Sequence, residues 1–444
     1  VRLLQDLQKW SAEALARRQG AVPGLEAARQ GAVQRIAILY GTRPEAIKMA
    51  PVIQALRRRA TAFEVVVCTT AQHRDLVDQV QRLFGLRPDH DLDLMTAGQE
   101  LNPLAARALA AVDRLLAAVA PDWLLVQGDT TSAAVSALAA FHRGVRIGHV
   151  EAGLRTGDLR RPFPEEANRR IIDLLADTLF APTPWAARRL RREGADPARV
   201  HLTGNTGIDA LCEIAGRLPP DEPPAEPAAA DEPPAAGEVL VTVHRRESFG
   251  APLQAILTAL RRLAEDHPRV RWIFPLHPNP EVAGPAAERL SGIPNLALCQ
   301  PLAYDELVCQ LRRSLLVLTD SGGLQEEAPA LGCPVLVLRD TTERPEGIAS
   351  GVAMLVGTEP RRIVAATARL LADPAARRRM AAAPNPYGDG RAAERIAAIL
   401  AGEPYQPFAP GQRRDTFAPQ APGGGAGPPA AHPIPAAGRS SGRL

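Results

Sequence analysis

Asp129 and Glu151 each follow a short apolar run, and Glu165 lies one loop further on. Asp129 sits in Gly128-Asp129-Thr130-Thr131 after the run 123–126, Glu151 follows the run 145–150, and Glu165 belongs to Arg161-Pro162-Phe163-Pro164-Glu165-Glu166. Carboxyl groups brought together have their proton affinities pushed apart, which supplies an acid and a base at neutral pH. Each residue also has a plain structural reading. Asp129 is a good N-cap for the helical segment that follows it. Glu165 and, more so, Glu166 suit the first turn of a helix, where the dipole favours acids. If the strand at 145–150 continues, His149 and Glu151 face the same way.

A second set of residues suits an anion. Gly41-Thr42-Arg43-Pro44-Glu45-Ala46-Ile47-Lys48 follows the run 35–40. Gly41 allows a tight turn, Pro44 fits a first helical turn, and Arg43 and Lys48 place cations near free N–H groups. A turn with solvated charges accounts for the segment about as well. There is no G-x-G-x-x-G and no Walker loop, so neither NAD nor ATP is indicated. Thr319-Asp320-Ser321-Gly322-Gly323 opens another helical segment. Two adjacent glycines weaken a helix and need a reason, which close approach of a phosphate supplies. Glu327, further into that segment, can accept from ribose hydroxyls. His244-Arg245-Arg246 follows the run 239–243: His244 can hold or protonate a diphosphate leaving group, and the arginines can pair with phosphate. Arg344, in the charged stretch 339–346, joins the same rim.

These residues need a scaffold that gathers them. Apolar runs at 35–40, 63–68, 123–126, 145–150 and 178–180 alternate with helical stretches, and a second series follows at 239–243, 270–274, 315–318, 335–338 and 353–356. Alternation of this kind implies βαβ units, and runs apolar throughout imply parallel strands covered on both faces. The fold class is therefore α/β, with two Rossmann-like domains facing across a cleft at the carboxyl ends of their strands. The expected divisions are an N-terminal extension at 1–32, a first domain at 33–217, a Pro/Ala/acid-rich linker at 218–237, a second domain at 238–384, a C-terminal helix at 385–402 and a disordered Pro/Gly/Ala-rich tail at 403–444.

Composition removes several classes of function. The chain has 444 residues, 4% of them aromatic, and a net charge of +3. So small a charge and so few stacking side chains argue against nucleic acid or an acidic membrane as partner. No run is long enough for a membrane helix and no secretory signal is visible. Cys68, Cys212, Cys299, Cys309 and Cys333 form no C-x-x-C pair; buried thiols in a reducing cytoplasm are expected, with neither disulfide nor metal.

Ten segments together resemble the non-hydrolysing UDP-N-acetylglucosamine 2-epimerases: GTRPEAIKMAP, TAQHRDLVDQV, GDTTSA, HVEAGLRTGD, PFPEEANRR, GNTGIDAL, HRRESFG, TDSGGLQEEAP, RDTTERPEG and NPYGDG. They run in the family's order from about 33 to 400. The resemblance implies a GT-B-like fold that holds UDP mainly in the second domain. It implies epimerisation at C2 of UDP-N-acetylglucosamine, by loss of the C2 proton and of UDP, then re-addition through 2-acetamidoglucal, without redox cofactor or metal. By the same resemblance Asp129, Glu151 and Glu165 are the acid/base carboxylates and His244 assists UDP. Arg43, Lys48, Ser321, Gly322, Gly323, Glu327 and Arg344 contact the substrate. Gln72, Arg245 and His277 match positions linked to activation by UDP-N-acetylglucosamine at a second site. A cytoplasmic homodimer is expected. The chain departs from the pattern at Leu307, where the family often carries an aromatic three residues after the tyrosine that Tyr304 matches. Competing readings are a GT-B glycosyltransferase, a hydrolysing epimerase, an inactive UDP-sugar sensor, and an epimerase of a related UDP-diacetamido-uronic sugar.

Overall fold

The structure, a computed structural model, describes residues 33–70, 74–94, 100–219 and 237–411. The N-terminal extension, residues 220–236 of the linker, the tail from 412 onward and Gln72 lie outside the described residues.

The first series of runs forms β1 (Gln34–Tyr40), β2 (Phe63–Thr69), β3 (His90–Asp91), β4 (Trp123–Gln127), β5 (Arg146–Val150), β6 (Thr178–Ala181) and β7 (Val200–Leu202). The second forms β8 (Gly237–Thr242), β9 (Val270–Pro275), β10 (Leu296–Cys299), β11 (Ser314–Thr319), β12 (Val335–Val337) and β13 (Ala353–Leu355). The sheet orders are β3-β2-β1-β4-β5-β6-β7 and β10-β9-β8-β11-β12-β13. Every neighbouring pair is parallel. The fold is thus α/β with two doubly wound sheets. All five residues of β4 and all six of β11 are buried, because helices cover both faces of each sheet.

All ten expected runs are strands. The three strands not expected, β3, β7 and β10, are sheet edges. An edge strand pairs on one side only and needs no long apolar run, and His90–Asp91 has none.

The helix Ala392–Ala401 follows the second sheet in the chain yet packs on the first. Ile396, Ala397 and Leu400 share a core with Ile36, Met49, Ile53 and Leu211. Asp209, from the helix Thr206–Arg217, accepts the backbone N–H of Ala392 at 3.1 Å and of Ala393 at 2.7 Å. It thereby takes up donors at the start of the crossing helix. No helix among the described residues is long and apolar enough to cross a membrane.

Candidate active site

Strand order reverses between β1 and β4 and again between β8 and β11, and open parallel sheets take ligands outside the carboxyl ends at such points. The loops leaving these four strands carry Arg43, Asp129, His244 and Ser321. Next to them lies a cavity of about 1120 Å³, whose wall includes Asp129, Phe163 and Glu165 from the first half and His244, Arg245 and Arg339 from the second.

Asp129 is not the N-cap that its position suggests. Thr130 takes that role, accepting the N–H of Ala133 at 3.1 Å. The Asp129 carboxylate is left for Arg169, at 2.6 Å, and Asn168 holds its backbone carbonyl at 2.9 Å. Glu165 begins the helix Glu165–Leu175. Burial, with Asp129 adding to it, raises its carboxyl above the ordinary range, although Arg245 and Arg169 oppose this. Its Oε2 is buried without a hydrogen-bond partner. Glu166, beside it, is fully buried and accepts the N–H groups of Thr156 and Gly157, which is a structural task.

The continued strand that would point His149 and Glu151 the same way does not form. β5 ends at Val150, and Glu151 adopts φ 72°, a left-handed conformation that costs a residue with a side chain on the order of 1–3 kcal/mol. The turn carries Glu151 to within 3.9 Å of the place a Cβ would occupy at Gly128. There it joins a buried charge cluster. Lys48 Nζ lies 2.5 Å from Glu151 and 3.4 Å from Glu326. Arg344 lies 2.6 Å from Glu326, 2.5 Å from Glu343 and 3.7 Å from Glu151. Gln127 also donates to Glu151. Burial raises the Glu151 carboxyl, Lys48 opposes this, and Glu326 adds to it. Glu326 ends up lowered: burial acts upward, but Arg344 and Lys48 together outweigh it.

The reading of Gly41–Lys48 as a helix start with free N–H groups is corrected. Glu45 accepts the N–H of Gly41 at 2.9 Å and of Thr42 at 2.7 Å, so those donors are taken. Pro44 is in the first turn, as expected. Arg43 reaches across to the Leu302 carbonyl at 3.0 Å. The helix Gly322–Ala330 differs, because its N-cap Ser321 makes no side-chain cap bond, leaving first-turn N–H groups for an anion. A Cβ at Gly322 would lie 2.5 Å from Nη1 of Arg344, so the guanidinium occupies the space a side chain would fill. Glu327 accepts from the Tyr304 hydroxyl at 3.2 Å, and burial raises its carboxyl to about 7. Leu307 packs against the cores of both halves.

His244 is pinned by Asp320, a fully buried residue that the sequence reading left out. Asp320 accepts the N–H groups of His244 and Arg245 at 3.0 and 2.9 Å and the Ser248 hydroxyl at 2.8 Å. Burial lowers the proton affinity of His244, against the pull of Asp320. The ring of His277 stacks on that of His244 with centroids 5.9 Å apart. The predicted residues thus fall into three groups: Asp129, Glu165, His244 and Arg245 on the cavity; Lys48, Glu151 and Arg344 in the buried cluster at Gly322; and Arg43 with Glu327. Glu326, Glu343, Arg339 and Arg169 were missed. All four are charged residues inside the quoted motifs that read as solvated helix or loop positions until burial is known.

Two Rossmann-like sheets with their carboxyl ends turned on one cavity define a GT-B-like protein. Residues 54–401 match the family model described as UDP-N-acetylglucosamine 2-epimerase. UDP-N-acetylglucosamine 2-epimerase of Yersinia pestis is 47% identical over 370 residues, covering 82% of this chain and 98% of that one. The Escherichia coli (strain K12) protein of the same name is 46% identical over 369 residues, with the same coverage. The crystal structure of UDP-GlcNAc 2-epimerase from Neisseria meningitidis bound to UDP-GlcNAc is 39% identical with a TM-score of 0.77, covering 83% of this chain and 100% of that one. The chain belongs to the UDP-N-acetylglucosamine 2-epimerase family.

Proposed function

We propose that the protein interconverts UDP-N-acetylglucosamine and UDP-N-acetylmannosamine without hydrolysis. The C2 proton of the sugar passes to a carboxylate while the C1–O bond breaks and UDP departs, leaving 2-acetamidoglucal. A proton then returns to the other face of C2 as a UDP oxygen re-forms the bond to C1. One observation carries this reading: Asp129 and Glu165 share a cavity wall with His244 of the opposite sheet. Proton removal from carbon and its return to the other face need more than one acid/base group at one sugar atom. Glu165 and Glu151, both raised by burial, are suited to hold that proton.

His244 assists the departing diphosphate, its backbone fixed by Asp320. Ser321, Gly322 and Gly323 present a helix start to the phosphates, with Arg43, Lys48 and Arg344 as cations and Glu327 for the ribose. Arg245, His277 and Gln72 serve activation by UDP-N-acetylglucosamine at a second site. The relative from Neisseria meningitidis, solved with UDP-GlcNAc, supports the choice of substrate. A cytoplasmic homodimer completes the reading, and sedimentation of the purified protein tests the assembly.

The deciding experiment is NMR of the protein with UDP-N-acetylglucosamine alone in D2O. Deuterium appears at C2 as UDP-N-acetylmannosamine forms. Product free of label excludes solvent-exchanging elimination and re-addition. Absence of reaction without an acceptor favours a transferase instead, and accumulation of free N-acetylmannosamine favours a hydrolysing enzyme.

A further inference from the structure

His149 takes no part in the chemistry described so far, and it is fully buried at the end of β5. Both of its ring nitrogens are engaged. Nδ1 lies 2.6 Å from Asp173 Oδ1, and Nε2 lies 2.7 Å from the carbonyl oxygen of Gly128. The other oxygen of Asp173 accepts the N–H of Gly153 at 3.3 Å and pairs with Arg155 at 2.7 Å. Burial acts to raise the Asp173 carboxyl, but His149 and Arg155 overcome it and hold the group below its usual range. With Arg155 paired to one of its oxygens and the Gly153 N–H donating to it, Asp173 is a carboxylate that accepts, and so does a peptide carbonyl. A neutral imidazole has one N–H and one lone pair, so it can satisfy only one of these partners while turning its lone pair on the other. Only a ring with a proton on each nitrogen fits both contacts.

We propose that His149 is a buried imidazolium that positions Asp129 by donating to the carbonyl of Gly128. Gly128 adopts φ 73°, and its carbonyl belongs to the peptide that leads into Asp129. That turn is held at three points: His149 on the Gly128 carbonyl, Asn168 on the Asp129 carbonyl, and Arg169 on the Asp129 carboxylate. The charges around the ring balance. Asp173 faces it from the helix Glu165–Leu175, Arg155 backs Asp173 from the loop after β5, and Glu193 meets Arg155 at 2.7 Å from the end of the helix Pro184–Arg192. Beyond Gly128 stand Asp129 and its partner Arg169. One proton on a buried ring thus fixes the aim of a carboxylate just past the end of the neighbouring strand.

The inference rests on Asp129 acting in the proposed reaction, and the test separates the two. Nitrogen NMR of the wild-type protein labelled at histidine reads the ring directly. Both His149 nitrogens give protonated signals at pH 7.5, and a nitrogen in the lone-pair range overturns the proposal whatever the enzyme does. His149→Phe fills the space without donating. It lowers kcat by about 100-fold, the effect of a misplacement of roughly 1 Å at a reacting group, while KM and UDP affinity keep their wild-type values. His149→Gln, which keeps one donor, recovers part of that loss. A folded His149→Phe protein with wild-type kcat overturns the positioning role, and should it not fold, the wild-type nitrogen signals still decide. If wild-type protein leaves UDP-N-acetylglucosamine unchanged, the proposed reaction falls and the nitrogen signals stand.

Discussion

Replacing Gly322 with alanine sets a Cβ 2.5 Å from Nη1 and 2.8 Å from Cζ of Arg344. Ordinary contact between such atoms lies near 3.5 Å, so the guanidinium must retreat by roughly 1 Å. Its partners do not permit this. Nε is 2.6 Å from Glu326 and Nη1 is 2.5 Å from Glu343, and an extra ångström carries both past hydrogen-bond distance. Breaking a buried pair costs on the order of 3–5 kcal/mol because a charge is left unmatched. Alanine in place of a helical glycine returns at most about 1 kcal/mol. The expected net loss is about 2–4 kcal/mol, a large share of the roughly 5–15 kcal/mol that holds a protein folded. At Gly323 the nearest atom to a Cβ is Ser321 Oγ at 4.0 Å, which is ordinary contact. Gly323→Ala is therefore neutral or up to about 1 kcal/mol stabilising. Yet its methyl group stands at the helix start proposed to hold diphosphate, so UDP binding weakens by about tenfold, or about 1.4 kcal/mol. Urea unfolding without UDP reads the first effect and calorimetric titration with UDP the second. A Gly322→Ala protein that unfolds at the wild-type midpoint refutes the anchoring of Arg344. A Gly323→Ala protein that binds UDP as the wild type does refutes the phosphate site.

Asp129→Asn, Glu151→Gln and Glu165→Gln each lower kcat by about 10²–10⁴-fold, the usual worth of an acid or base, while UDP still binds; wild-type turnover in any of them removes that residue from the mechanism. Asp209 gives a pH effect on stability. Burial raises its carboxyl to about 7 in the folded protein, so the stability it contributes is full below its unfolded value near 4 and is lost as pH rises through 7. The difference is on the order of 4 kcal/mol, and Asp209→Asn removes it: melting temperatures of the two proteins, compared from pH 4 to 8, diverge in favour of the variant as pH rises. Parallel curves exclude the titration.

Most of the frame was legible because buried parallel strands write themselves as unbroken apolar runs. Ten of the strands read that way, and Gly41–Lys48, Gly128–Thr131, His244–Arg246 and Thr319–Gly323 all fell where a strand ends. Of the three that did not, β3 and β7 are two and three residues long and carry polar side chains, whereas β10, Leu296–Cys299, is apolar but only four residues long. Local spacing also misjudged what each acid does. Asp129 and Thr130 both suit an N-cap, and only the structure shows that threonine caps while aspartate pairs with Arg169, 40 residues away in the chain. Glu45 drew no reading of its own in that segment, but it closes N–H groups that the loop was expected to offer. Asp320 and Glu326 were invisible as site residues for a related reason. Their partners lie in other segments, and a sequence records the charge of a residue without recording what stands opposite it.

That pairing also explains how the two halves can meet through charged groups and still part. Lys48 and Glu151 belong to the first half; Glu326, Arg344, Glu343 and Arg339 belong to the second. The short contacts stay within a half: Lys48 to Glu151 at 2.5 Å, Arg344 to Glu326 at 2.6 Å and to Glu343 at 2.5 Å, and Arg339 to Glu343 at 2.8 Å. Within this cluster the ion pairs across the seam are the long ones, Lys48 to Glu326 at 3.4 Å and Arg344 to Glu151 at 3.7 Å. Of these ion pairs, separating the halves breaks only the two longer ones, and it leaves each of these ions with a partner on its own side. Had Lys48 been matched only across the seam, opening would strand a buried charge at a cost of several kcal/mol. Under the proposed reaction, a cleft that must admit a nucleotide sugar, retain the intermediate and then release product needs both states within reach. An ion cluster whose members are each paired within their own half provides that at this contact.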